Sequence, residues 1–295
     1  MRIHRSGTAS PGRVPGLVLG AVLGLGAVAG CGSGSSGEQA GPSGSGEPAK
    51  PPTATAPAGG AGSQAPSPED EGEGGALRGR TIVIDPGHNG GNAKNPKAIA
   101  RQVDIGNGRK ECDTTGTATN AGYAESAFTW DVSNRLAKLL RAQGAKVTLT
   151  RANDTGVGPC INERAAIGNR AKADAALSIH ADGAGASQHG FHIIEPVVVK
   201  GSDNAKAVPA SQKLGRAIRD GYHEGTGVPY SNYRGTKALD PRSDLGGLNL
   251  STVPKVFIEC GNMRNAGDAA KLSSAAFRQK IAQSLVTGFT RYFSS

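Results

Sequence analysis

The chain has 295 residues and a formal charge of +9, with Gly 45, Pro 17 and aromatic residues at only 4%. No run of about 20 apolar residues occurs, which excludes a polytopic membrane protein. A single tryptophan, Trp130, argues against a carbohydrate-binding module lined with stacked rings.

The charge is uneven. Residues 1–30 carry +3, residues 31–79 carry −4, and residues 80–295 carry +10 from 28 basic and 18 acidic side chains. A basic domain favours anionic partners. It also fits a soluble domain without one, because no Lys/Arg cluster stands out.

Arg2, His4, Arg5 and Arg13 precede an apolar stretch over residues 16–30. A charged start followed by an apolar run below spanning length is a secretory signal. It ends Val28-Ala29-Gly30-Cys31-Gly32. Small residues before a cysteine resemble a bacterial lipobox, in which the thiol is diacylated and becomes the new N-terminus. The competing reading is ordinary cleavage after Ala27-Val28-Ala29. Residues 32–75 are almost wholly Gly, Ser, Pro, Ala, Gln and Glu, and cannot bury enough surface to order themselves. Residues 31–79 are therefore expected to tether the protein from an acylated Cys31 to the outer face of the cell membrane, where two or three acyl chains anchor stably. The alternative is a secreted protein.

Residues 80–295 are expected to form one domain, enough for a sizeable core. The pattern predicts strands over 81–84, 146–150, 175–179, 190–196 and 256–258. Helices are predicted over 162–173, 211–222 and 275–293, and from Glu125 to a stop at Gly144, where Phe128, Val132, Leu136 and Leu140 recur at helical spacing. Alternating strands and helices imply an α/β fold of three layers, a central mostly parallel or mixed sheet between helices. Two connections, 89–124 and 229–253, are unusually long and polar, as functional loops tend to be. Cys112 and Cys160 both fall on surface connections and are expected to pair in an oxidising compartment. Cys260 sits in an apolar strand and reads as a buried small hydrophobe.

His88 follows a strand through Asp85-Pro86-Gly87-His88, and His180 repeats that placement in Ser178-Ile179-His180-Ala181-Asp182. The carboxyl ends of α/β strands are where ligands bind. Glu125 opens a helix, where a carboxylate is also favoured by the helix N-terminus. Glu259 ends the apolar strand Val256-Phe257-Ile258, a costly place for an acid unless it works or is paired. Two His and one Glu with an open fourth position make a catalytic zinc set, leaving one Glu as base.

These segments, Ile84-Asp85-Pro86-Gly87-His88, Ala124-Glu125, Ser178-Ile179-His180-Ala181-Asp182 and Ile258-Glu259-Cys260-Gly261-Asn262-Met263, resemble the zinc-dependent N-acetylmuramoyl-L-alanine amidases. Arg151, Gly190-Phe191-His192 and Asp244-Leu245-Gly246-Gly247-Leu248-Asn249 match in the same order, so the likeness spans residues 80–293. The loop with Cys112, paired with Gly158-Pro159-Cys160, is similar to the mycobacterial branch. The resemblance implies cleavage of the amide between the lactyl group of muramic acid and L-alanine in peptidoglycan. By it, His88, Glu125 and His180 hold one zinc ion per chain and Glu259 is the acid/base. His192, Arg242 and Asn249 are weaker candidates for touching substrate, and Asp182 for steadying a ligand histidine. A related zinc exopeptidase commonly needs a second, carboxylate-bridged metal, and no spare acid cluster is evident. A non-catalytic wall-binding lipoprotein would not need Glu259, and nucleic acid is excluded by the export signal. A monomer is expected.

Overall fold

In the computed structural model, residues 75–295 are described; residues 1–74, with the expected leader, Cys31 and most of the tether, lie outside the described residues. In chain order the elements are β1 (Thr81–Pro86), α1 (Pro96–Ile99), β2 (Gln102–Asp104), β3 (Arg109–Glu111), α2 (Glu125–Ala142), β4 (Lys146–Leu149), α3 (Ile161–Arg170) and β5 (Ala175–Asp182). There follow β6 (His192–Pro196), α4 (Val208–Thr226), β7 (Leu239–Arg242), α5 (Gly246–Asn249), β8 (Lys255–Asn262), α6 (Ala266–Ser273) and α7 (Ala275–Phe293). Every strand and helix read from the periodicity is present. Among the described residues no helix is long and apolar enough to cross a membrane.

The main sheet has the order β4-β1-β5-β8-β6-β7. The first four strands run parallel; β6 is antiparallel to β8, and β7 follows the direction of β6. The expected mixed, mostly parallel sheet is borne out.

Strand alternation sorts the side chains between two faces. Ile82, Ile84, Leu177, Ile179, Val256, Ile258 and Ile193 point to one face. There they meet Phe128, Val132 and Leu136 of α2, Leu214, Ile218 and Tyr222 of α4, and Ile281, Leu285 and Phe289 of α7. Leu77 joins this core at 1% exposure, so the folded part begins ahead of Arg80. The opposite face takes the intervening residues: Val83 and Ala176 pack near α3, while Asp85, Ser178, His180, Lys255, Phe257 and Glu259 follow at the same parity. One face of the sheet is the core, and the other carries the chemistry.

Three features hold that second face in place. Buried Asp85 accepts hydrogen bonds from Thr150 and Ser178 (2.6 Å each) and from Arg164 (2.9 Å), with Lys255 Nζ 3.4 Å away. Buried Arg151 donates to the carbonyls of Pro86 and Ser126, tying the end of β1 to the first turn of α2. Cys112 and Cys160 form the expected disulfide, while Cys260 is free and buried. In the chain-entropy model a loop of 48 residues stabilises by about 4 kcal/mol. The connection from β5 to β6 passes the end of β8, where the Asn262 amide donates to the carbonyls of Gly185 and Gln188.

Candidate metal centre and active site

Because β1 and β5 are adjacent and parallel, His88 and His180 emerge at the same edge, with ring centroids 4.9 Å apart. His88 has a φ of +58°, in the left-handed region that non-glycine residues rarely adopt. Strain of this kind, on the order of 1–3 kcal/mol, collects at functional sites. The ring of His180 stacks on Phe257, which lies on the same face of β8. Glu125, the first residue of α2, reaches back between the two imidazoles. Its Oε2 lies 3.2 Å from His88 Nε2 and its Oε1 3.0 Å from His180 Nδ1. The carboxylate also accepts from the backbone N–H groups of Thr117 (2.9 Å) and Ala181 (3.1 Å). One donor atom from each of the three residues lies within 4.8 Å of the others, the arrangement of a metal site.

Glu259 stands beside His180, at the matched position of the neighbouring strand. The two carboxylates have opposite surroundings. Around Glu125 burial works against the charge, but His88 and the hydrogen bonds from both imidazoles outweigh it, holding the carboxyl well below the usual range. Burial pushes the Glu259 carboxyl well above that range, and the charges of Glu125 and Asp182 push it further. The Oε2 atom of Glu259 is withdrawn from solvent without a hydrogen-bond partner. Both acids, both histidines, Asp182 and Arg242 line one groove of about 300 Å³. A narrower cavity of about 190 Å³ opens beside it, between the histidines and Ile161, Leu245 and Phe257.

A family model described as N-acetylmuramoyl-L-alanine amidase matches residues 82–291. The chain belongs to that family. It is 41% identical over 223 residues to the N-acetylmuramoyl-L-alanine amidase Rv3717 of Mycobacterium tuberculosis, covering 74% of this chain and 88% of that one. Among solved structures it is similar to the amidase Ami1 of Mycobacterium smegmatis, with a TM-score of 0.69 and 39% identity over 74% of this chain and 98% of the other. Ami1 of Mycobacterium abscessus gives 0.68 and 42% over 73% and 99%. The protein is thus an N-acetylmuramoyl-L-alanine amidase acting on peptidoglycan, and it works outside the cytoplasm.

Not every residue expected in the amidase's groove is there. His192, paired across the sheet with Glu259, is 1% exposed and packs edge-on against Tyr233. Burial lowers its pKa to about 4, so the ring is neutral. Asn249 is fully buried and donates to the carbonyls of Ile105 and Ser243, joining two long connections rather than facing substrate. Asp182 accepts from the hydroxyl of Tyr233 (3.0 Å) and steadies neither histidine. Arg242 does line the groove; it sits on β7, not in a loop, with Nε and Nη2 donating to Asp244.

The sequence reading missed the groups behind His88. Its Nδ1 lies 3.1 Å from the Thr114 carbonyl and 3.3 Å from Asp113 Oδ1. No local signal marks them: they belong to an aperiodic loop, brought to the site by the disulfide together with contacts from distant segments such as Arg164 and Asn92.

Proposed function

We propose that the amidase holds one zinc ion between His88, Glu125 and His180, and that Glu259 moves the proton in hydrolysis. The donor set suits zinc: two imidazoles and a carboxylate, three protein ligands with a fourth position left open. When bound, zinc supplies Lewis acidity, polarising the amide carbonyl and lowering the pKa of water at the site.

The observation that carries the division of roles is the contrast between the two carboxylates. Glu125 is saturated with donors and kept ionised, as a ligand must be. Glu259 has an oxygen with no partner and a pKa pushed upward by burial, which suits a group that takes up and returns a proton. It would accept the proton of the attacking water and deliver it to the departing alanine nitrogen, an acid/base contribution on the order of 10²–10⁴ in rate. Arg242 is the residue proposed to meet the peptide stem. Asp244 occupies one edge of its guanidinium, and among the described residues Nη1 has no hydrogen-bond partner.

The tract before Cys31 supports attachment to the membrane through a lipid on that cysteine, with residues 31–79 as the tether between membrane and wall.

The test is Glu259→Gln, which keeps size and shape but cannot accept a proton. Metal analysis and mass spectrometry of digested peptidoglycan are run on the same preparation. Zinc content is expected to stay, while release of stem peptides with a free L-alanine amine falls by about 10²-fold or more. Loss of zinc together with activity would exchange the roles of Glu125 and Glu259. Normal activity would remove Glu259 from the reaction.

A further inference from the structure

We propose that Asp113 is a positioning residue for the metal ligand His88, held in that role by Arg164 and the Cys112–Cys160 disulfide. The proposal rests on the metal reading of His88, Glu125 and His180.

Nε2 of His88 faces Glu125, so Nδ1 is the nitrogen turned away from the metal position. A ligating imidazole offers a lone pair at one nitrogen only when the proton sits on the other. Nδ1 faces two acceptor-only oxygens, the Thr114 carbonyl at 3.1 Å and Asp113 Oδ1 at 3.3 Å, and the Thr114 hydroxyl at 3.3 Å, which can accept beside them. These fix the proton on Nδ1. Of the three, only Asp113 is charged, and it is 6% exposed.

A buried carboxylate aimed at a histidine needs something to hold it there. Asp113 Oδ2 accepts from Arg164 Nη2 (3.1 Å), and its Oδ1 from the backbone N–H of Thr114 (2.8 Å). Arg164 Nη2 also donates to the backbone carbonyl of His88 (2.9 Å). One guanidinium therefore grips both the main chain of the ligand and the carboxylate behind its ring. Cys160 immediately precedes α3, four residues ahead of Arg164, and its disulfide partner Cys112 is the residue before Asp113. The staple and the guanidinium thus enter from one helix and close on one dipeptide.

A purely structural reading is that Asp113 only offsets the charge of Arg164. Offsetting Arg164, which also pairs with Asp85 at 2.9 Å, would engage Asp113 Oδ2 alone and does not call for Oδ1 to lie against the His88 ring. The two readings predict different measurements. Zinc affinity of the full chain is measured by competition with a chromogenic chelator, and stability of the zinc-free protein by thermal unfolding. Positioning predicts that Asp113→Ala weakens zinc binding about 10–100-fold, the usual cost of losing an outer-shell partner. Asp113→Asn, which retains an acceptor oxygen, recovers part of that loss. The double variant Cys112→Ser/Cys160→Ser keeps Asp113 but frees its segment, and weakens zinc in the same direction; it decides the matter if Asp113→Ala does not fold. Zinc affinity within threefold of wild type in Asp113→Ala, with only the melting temperature lowered, overturns the proposal. Failure of the wild-type chain to take up zinc would instead strike the metal reading.

Discussion

Gly87 lies so close to His180 that a Cβ added to it would sit 2.3 Å from Cε1 and 2.5 Å from Nε2 of the ring. The ring cannot simply retreat, because Phe257 is stacked against it. Glycine here is a requirement of the neighbouring strand. Gly87→Ala is therefore expected to fold, yet to displace His180 from the metal position. Chelator competition should show zinc affinity at least about 10-fold weaker, and peptidoglycan digestion a loss on the order of 10²-fold, the scale of a 1 Å misplacement. Unchanged zinc binding would mean the ring has more freedom than its packing allows.

His180→Ala tests the ligand set directly. Three protein ligands are the usual complement of a catalytic zinc site, so removing one should leave the purified protein with well under one zinc and no measurable amidase activity. Full zinc retention would show that His180 is not a ligand.

Asp85 is the anion shared by Arg164 and Lys255, both buried. Asp85→Ala leaves the buried Lys255 without its ion-pair partner and Arg164 with Asp113 alone. The expected loss is about 3–5 kcal/mol, the range for breaking a buried pair by removing one partner. Denaturant unfolding of the zinc-free protein measures it without the added stabilisation of a bound ligand. A loss below about 1 kcal/mol would count against the network as a structural support.

Glu195, on β6, points into the core face toward Gly215 of α4, and its Oε1 has no hydrogen-bond partner. Burial pushes its carboxyl up to about 7, against the pull of Arg216 and Arg219. The folded protein thus holds this proton more tightly than the unfolded chain does. The group costs nothing well below the unfolded value near 4.5, and its penalty grows until the pH passes about 7. Glu195→Gln should match wild type near pH 4 and exceed it by about 1–2 kcal/mol at pH 8, read from denaturant midpoints. A difference independent of pH would assign the effect to something other than ionisation.

Cys31 is testable by fractionation. Cys31→Ala should abolish acylation and move the protein from the membrane to the soluble fraction. A wild-type mature N-terminus at Gly30, or the absence of a diacylglyceryl mass, would identify ordinary cleavage instead.

The four residues of the proposed centre were legible because each follows an apolar run or opens a helical one, although β5 and β8 continue past His180 and Glu259. Ile84-Asp85-Pro86-Gly87-His88 and Ile258-Glu259 read as apolar strands stopping on a polar group, and parallel neighbours bring such ends together. What stayed hidden depends on contacts between distant segments. The hairpin of β2 and β3 has three residues per strand and a single buried apolar side chain, Val103, so no alternation announces it. The edge strand β7 contains Pro241, which argues against a strand on sequence grounds. Asn249 looks like a ligand-binding polar residue in a loop, until the carbonyl of Ile105, 144 positions away, accepts its amide proton. Asn265 was a missed helix start whose side chain accepts from Gly267 and Asp268.

The arch from β5 to β6 has a consequence for how a wall polymer approaches. It crosses the end of β8 and is pinned there by Asn262, three residues beyond Glu259. The path down the axis of that strand is roofed over. A scissile amide that reaches Glu259 is therefore expected to enter through the groove that Glu259 shares with both histidines and Arg242, not along the axis of β8. With the proton-moving role proposed for Glu259, the fold would set the side of entry as well as the place of reaction.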